Sequence, residues 1–312
     1  MSLKRLILIG CCVELCYLSF YLTDASPAVV LLFIGVNAVA YVALAYVVYR
    51  FRSSMSGSTP NILAVILGFG LLFRLTVVSL QPVASDDIYR YVWDGKVAAY
   101  GINPFALPPT DPSLRHLHTD ALPSKINFPH MRTIYPPLAQ ILFLSSNLLF
   151  GDSLIGLKFL LILFDLVTVW LLTLLLKQFN LNPTLVTLYA WSPVPIMYFG
   201  LDGHIDALGI PFLLLAILLA ARNRHVAGAV SLGLAALAKL YPLFVAPMLF
   251  RVVSGVRKLW VPAIPVIMLA GGCWLYLEPT GGLYESFGVR PDGHSNGRYL
   301  LSIRTQTAYQ YR

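Results

Sequence analysis

A chain of 312 residues that is 58% hydrophobic and only 12% charged cannot cover a water-facing surface, since soluble domains carry about 25% charged residues. A mean hydropathy of +0.74 agrees and makes the chain a polytopic membrane protein. The net charge of +8 comes without a basic stripe interleaved with aromatics, which argues against nucleic acid as a partner and suits Lys and Arg gathered in cytoplasmic loops.

A membrane span needs roughly 20 mostly apolar residues. In chain order the sequence predicts spans at 6–22, 27–49, 62–80, 157–176, 184–199, 207–221 and 260–277. Residues 136–150 are apolar but short and open on Pro136-Pro137, which suits a helix that re-enters or lies at a face. Residues 226–250 carry Lys239-Leu240-Tyr241-Pro242 near the middle. A mid-membrane Lys is costly and a Pro loosens a helix, so this segment reads as a broken, re-entrant pair, with a single full span as the alternative. Cys11, Cys12, Cys16 and Cys273 lie in apolar runs with neither metal-ligand nor disulfide spacing.

Basic residues set the orientation. Lys4, Arg5, Arg50 and Arg52 are cytoplasmic if the first two spans form a hairpin, which places residues 85–132 outside. Lys177, Arg222, Arg224, Arg251, Arg257 and Lys258 then fall inside. Three polar clusters share the external side: 85–132, 201–206 and Lys239. Residues 1–277 thus form a transmembrane domain with an external loop at 81–135, and residues 278–312 form a polar tail expected to be poorly ordered.

The external loop holds the densest acidic cluster. Five acids fall between Asp86 and Asp120, out of 14 in the chain. Ser85 suits a helix cap beside Asp86 and Asp87. In that helix Asp87, Tyr91 and Asp94 share a face, and Arg90 lies four residues from both Asp86 and Asp94. The bland reading is an interfacial helix whose acids face water. Asn103-Pro104, Pro108-Pro109 and Asp111-Pro112 then impose a stiff, turning loop that closes on His130, Arg132 and Tyr135. His116, His118 and His130 lack zinc-ligand spacing.

Beyond the loop, Gly203-His204-Ile205-Asp206 sits at a helix boundary, where Gly203 permits close backbone approach and His204 and Asp206 can bracket a polar ligand. Asp206 is equally well placed as a helix cap. Lys239 reads as a cation held for a phosphate or as a snorkelling side chain. Arg74, inside the third span, either snorkels outward or contacts the same phosphate. Glu14 and Asp165 are expected to pair with polar groups on neighbouring helices.

These motifs resemble a family. Ser85-Asp86-Asp87-Ile88-Tyr89-Arg90-Tyr91-Val92-Trp93-Asp94-Gly95, Gly101-Ile102-Asn103-Pro104-Phe105 and Thr133-Ile134-Tyr135-Pro136-Pro137, followed by Trp191-Ser192-Pro193, Gly203-His204-Ile205-Asp206-Ala207-Leu208 and Lys239-Leu240-Tyr241-Pro242, are similar to the membrane glycosyltransferases with the GT-C fold. The nearest likeness is to bacterial polyprenyl-phosphate-mannose-dependent mannosyltransferases, and a more distant one is to the GPI mannosyltransferase I group. The resemblance covers roughly residues 63–247. It implies an all-α GT-C-like helical bundle in a bacterial plasma membrane, an external active site, a polyprenyl-phosphate sugar donor and a lipid-linked glycan acceptor. Such enzymes usually carry further transmembrane helices after the Lys-x-x-Pro motif, whereas one clear span and a polar tail follow here, as in a truncated or altered chain.

The reaction expected is inverting hexosyl transfer, most simply of mannose, with Asp86 or Asp87 as general base. Arg90, Tyr91, Asp94, Asn103, His130, Tyr135, His204, Asp206 and Lys239 form the candidate substrate-binding set. Asp86 and Asp87 are also the place for a divalent ion (Mg or Mn), although adjacent carboxylates on a helix point in different directions. Two other readings compete: a transporter or flippase of lipid-linked sugars, which predicts paired broken helices, and a non-catalytic membrane assembly subunit.

Overall fold

The computed structural model describes residues 3–22, 27–51, 59–251, 253 and 255–277. The expected polar tail, 278–312, lies outside the described residues. The architecture is all-α, with no strand among the described residues. The longer helices are α1 (Leu3–Ser19), α2 (Pro27–Phe51), α3 (Thr59–Val77), α4 (Asp87–Ala99), α5 (Pro137–Phe150), α6 (Leu154–Gln178), α7 (Asp206–Ala221), α8 (His225–Ala238) and α9 (Ala263–Leu277). Leu3–Leu22, Pro60–Val77 and Leu154–Gln178 are long and apolar enough to cross a membrane. This is an all-α membrane protein.

Local chemistry explains most boundaries. Ser85 Oγ accepts from the Asp87 N–H at 3.3 Å where α4 begins. Pro137 supplies the fixed φ that starts α5, and Ser153 Oγ accepts from Gly156 N at 3.1 Å at the start of α6. The chain breaks at Lys239, whose φ of −160° and ψ of 144° are extended. A 3₁₀ turn over Tyr241–Val245 and a short helix over Ala246–Phe250 follow. The broken reading of 226–250 therefore describes the segment better than a single span.

Two expectations are corrected. The apolar run 184–199 is not one helix. It forms a 3₁₀ turn at Pro183–Val186, one turn at Thr187–Ala190, another at Pro193–Pro195 and a π-turn at Ile196–Leu201. Pro193 and Pro195 remove two backbone donors, and Ser192 Oγ caps the new start by accepting from Val194 N. Nor does α4 lie on the surface: every residue from Ile88 to Ala98 is buried, Asp94 included, and only Asp86 and Asp87 at its start reach water.

The burial of α4 comes from the helices around it. Ile88, Tyr91, Trp93, Leu142, Phe143, Leu157 and Leu208 share one apolar core. Gly95 lets α4 and α5 touch backbone to backbone, because a Cβ there would stand 2.2 Å from the Phe143 carbonyl oxygen. A second core joins α1 and α3 to the broken segment through Tyr17, Ile66, Phe73, Trp191 and Ile196. Between the cores, Arg74 Nε donates to Asp165 at 2.5 Å, and its Nη1 donates to the carbonyls of Gly70 and Ala190. Tyr189 completes the pair by donating to Asp165. Arg74 thus neither snorkels outward nor reaches a substrate phosphate. Asp165 pairs with neighbouring helices as expected, and so does Glu14, which accepts from Thr76 Oγ1.

Candidate active site

The site forms where α4, the 202–205 turn and the end of α8 meet. The approach to α4 is clamped first. Lys158, fully buried at the start of α6, donates to the Leu80 carbonyl at 2.6 Å. Asp202 Oδ1 accepts from the N–H groups of Val83 and Ala84 at 2.8 and 3.1 Å. These bonds fasten residues 80–84 to α6 and to the 202–205 turn, so α4 starts beside that turn.

Gly203 then brings the two together. Its φ is +73°, and a Cβ would lie 2.5 Å from Ile88 Cδ1. Any side chain here adds strain at this φ and pushes the Ile88 side chain aside. The next residue, His204, presents Nδ1 3.9 Å from Asp87 Oδ2. Its ring stacks on Tyr198 with centroids 3.7 Å apart and planes 13° from parallel. Burial lowers the imidazole pKa, against the opposing pull of Asp202 and Asp87. A His already near 6.5 is then mostly neutral at pH 7.

Two phenols also lie within reach of the Asp87 charge. Tyr91 is stacked on Phe143 at 4.7 Å and meets Tyr135 edge-on at 4.8 Å. Tyr135 and the Ile205 backbone both act on its hydroxyl. Burial raises both phenols, and the Asp87 charge raises them further. They stay protonated as hydrogen-bond donors. Asp87 itself remains 38% exposed, so a substrate can reach it. Asp86, one residue outward, is exposed and makes no side-chain cap bond.

The third component is an ion pair. Lys239 Nζ lies 2.7 Å from Asp206 Oδ2, with side-chain exposures of 41% and 15%. Tyr198 feels Asp206, Lys239 and Asp87 together, and Tyr241 feels Asp206 and Tyr198. Asp87, Tyr91, Tyr135, His204, Asp206 and Lys239 therefore converge, although they come from four separate stretches of sequence.

Other expected site residues lie elsewhere. Asp94 is wholly buried, accepting from Arg90 Nε at 2.8 Å, Thr133 Oγ1 at 2.5 Å and Gln140 Nε2 at 3.0 Å. Burial raises its carboxyl, chiefly against the Arg90 charge. Arg90 also donates to the Met131 carbonyl at 2.9 Å. This pair is a strut that ties the end of the long loop to α4, with no open face toward a ligand. Asn103 Oδ1 accepts from Phe105 N and closes a turn. His130 is exposed, with Nδ1 3.2 Å from Thr110 Oγ1. Conversely, Tyr198, Asp202, Lys158 and Tyr241 shape the site but were not singled out by pattern. Tyr198 was hidden inside an apolar run that reads as a span.

Among the described residues no three His, Cys, Asp or Glu side chains group to hold a metal ion. His204 stands beside Asp87, but Asp86, Asp87 and His204 do not close into such a group.

The model of the alpha-(1->6)-mannopyranosyltransferase N-terminal domain matches residues 14–255. The chain belongs to this family. It is a glycosyltransferase of the GT-C type that transfers mannose, which decides the choice left open by the sequence in favour of an enzyme. No curated protein and no solved structure matches the chain. The matched stretch of the mannosyltransferase contains every residue of the convergent cluster, from Asp87 to Lys239.

Proposed function

We propose that this mannosyltransferase moves a mannosyl residue from a polyprenyl-phosphate donor to the 6-hydroxyl of a lipid-linked glycan. It would do so as a multi-pass protein on the external face of a bacterial plasma membrane. The observation that carries this reading is the meeting of Asp87, His204 and the Lys239–Asp206 pair at one cluster of helix ends. Basic residues gather toward the opposite helix ends, at Arg50, Arg222 and Arg224, which favours an external site.

The chemistry runs as a single displacement. Asp87 takes the proton of the acceptor hydroxyl as that oxygen attacks the anomeric carbon. The bond from this carbon to the phosphate oxygen breaks on the opposite side, which inverts the configuration. The α-linkage in the family's description then calls for a β-linked donor. The leaving polyprenyl phosphate takes the electron pair, and Lys239 offsets its charge. The tyrosine hydroxyls and the neutral His204 orient the sugar.

The test is incubation of membranes containing the protein with radiolabelled polyprenyl-phosphate mannose and analysis of the labelled lipids. Transfer that needs Asp87 and yields a 1→6 linkage supports the reading. Label transferred only from a nucleotide sugar would overturn the donor assignment, and full transfer by Asp87→Asn would overturn the base.

A further inference from the structure

The α7–α8 hairpin carries polar groups at both ends. At one end Asp206 meets Lys239. The 16 residues of α7 put its other end about 24 Å away, at about 1.5 Å per residue. There Asn223, His225, Gly255, Val256 and Arg257 line a cavity of about 410 Å³, a volume within the range of small-ligand sites. Asn223 at φ 59° and Gly255 at φ 62° turn the chain sharply on its two sides.

The charge around this cavity has one sign. Segments 177–182, 222–227 and 251–258 contain Lys177, Arg222, Arg224, Arg251, Arg257 and Lys258, and no Asp or Glu. Among the described residues no carboxylate pairs with any of them. Arg222 Nε is held by Gln178 Oε1 at 3.1 Å, while Arg224, Arg257 and Lys258 are exposed. His225 Nδ1 is buried with no hydrogen-bond partner, so no protein bond on that nitrogen fixes the ring. Orientation signals alone explain basic residues, but they require no pocket beside them. Beside it, Val256, Val226 and Trp260 expose apolar surface, which suits acyl chains more than water.

We infer that this cavity binds the phosphate of an anionic membrane lipid, with Arg257 from its lining and Arg224, exposed between the lining residues Asn223 and His225, as the charged contacts and the Val226–Trp260 surface beneath the acyl chains. Lys and Arg near an anionic membrane surface each contribute about a fivefold gain in binding. The site lies a helix length from the transfer site and does not depend on the reaction proposed above.

The purified full-length protein in detergent, offered phosphatidylglycerol or phosphatidylcholine and read by native mass spectrometry, tests this. The expected result is selective retention of phosphatidylglycerol. Arg257→Gln and Arg224→Gln should each weaken it by about fivefold, with the melting temperature and mannosyl transfer in detergent unchanged. Inorganic phosphate is added without lipid as a second arm. If it protects against thermal unfolding as strongly as phosphatidylglycerol, the site is upheld for a free phosphate and the lipid assignment is overturned. Equal retention of both lipids, or retention unaffected by both substitutions, would overturn the site itself.

Discussion

Asp87 Oδ2 and His204 Nδ1 face each other across 3.9 Å, too far for a direct hydrogen bond and close enough for one oxygen to be held by both. Asp86 shares neither this neighbour nor the tyrosine pair. The two adjacent acids should therefore separate sharply on substitution. Asp87→Asn is expected to lower mannosyl transfer by about 10²–10⁴-fold, the usual contribution of a general base. Asp86→Asn should cost about tenfold or less. Initial rates in membranes normalised to protein level check this, and equal losses in the two variants would refute the assignment.

His204 gives the site an acid limit. Its folded pKa is lowered, chiefly by burial. Between 6.5 and that lower value the unfolded chain binds a proton that the folded chain does not. Stability is thus complete above about 6.5 and falls as pH drops through this window. Thermal unfolding in detergent should show a lower melting temperature on acidification from about pH 7.5 to 5.5. His204→Gln should flatten that part of the profile, and an identical pH dependence in the variant would exclude His204 as its source.

Two glycines predict different failures. Gly95→Ala would push a methyl against the Phe143 backbone oxygen, 2.2 Å away, and backbone cannot swing aside. It should destabilise by about 1–3 kcal/mol or more, seen as lost protein after detergent extraction. Gly203→Ala adds strain at φ +73° and meets side chains alone, Ile88 first and then Lys158. It should cost about 1 kcal/mol but shift His204 away from Asp87. Folded protein with turnover reduced at least about tenfold is the expected result, and normal turnover would show that the Gly203 contact does not position the site.

Much of this arrangement was legible in sequence because its signals are local. Pro136-Pro137 starts α5, Ser85 starts α4, and Lys239 with Pro242 breaks the chain after α8. Asp87, His204 and Lys239 were each nameable as polar residues at such boundaries. Pairing was not legible. Arg74 meets Asp165 across 91 positions, and nothing local distinguishes that contact from one with a substrate. Periodicity also failed to separate Asp87 from Asp94. Both lie on one face of α4, but one sits at the helix mouth and the other two turns deeper, where Thr133 and Gln140 surround it. Depth is set by the helices packed around α4, and the helical repeat carries no information about it. The run 184–199 failed for a related reason, since composition alone does not register two prolines with a capping serine as four short turns.

That depth makes Asp94 a stability determinant. Asp94→Ala leaves Arg90 buried with its Nε partner gone, and Arg90 Nη2 already lacks one. Stranding a buried charge costs about 3–5 kcal/mol. Asp94→Ala should accordingly fail to accumulate, and Arg90→Met with Asp94→Leu should recover part of the level. If Asp94→Ala instead accumulates normally and only raises the KM for acceptor, Asp94 contacts substrate and the strut is misassigned.

Lys239 should behave in the opposite manner. It is held by Asp206 at 2.7 Å and remains 41% exposed against 15% for its partner, so its removal leaves the Asp206 carboxylate at a position that water still reaches. Lys239→Met is expected to fold normally and to raise the KM for a polyprenyl-phosphate donor by about tenfold or more, the loss of one charge-assisted hydrogen bond to phosphate. Asp206→Asn keeps the cation but loosens its position, so kcat should fall more than KM rises. Lys239→Arg preserves charge while replacing a compact ammonium by a planar fork, and should restore donor affinity better than turnover. Donor titrations of the three variants separate these effects. If Lys239→Met leaves the donor KM unchanged, the phosphate is held elsewhere, and the Lys239–Asp206 pair serves only to close the break after α8.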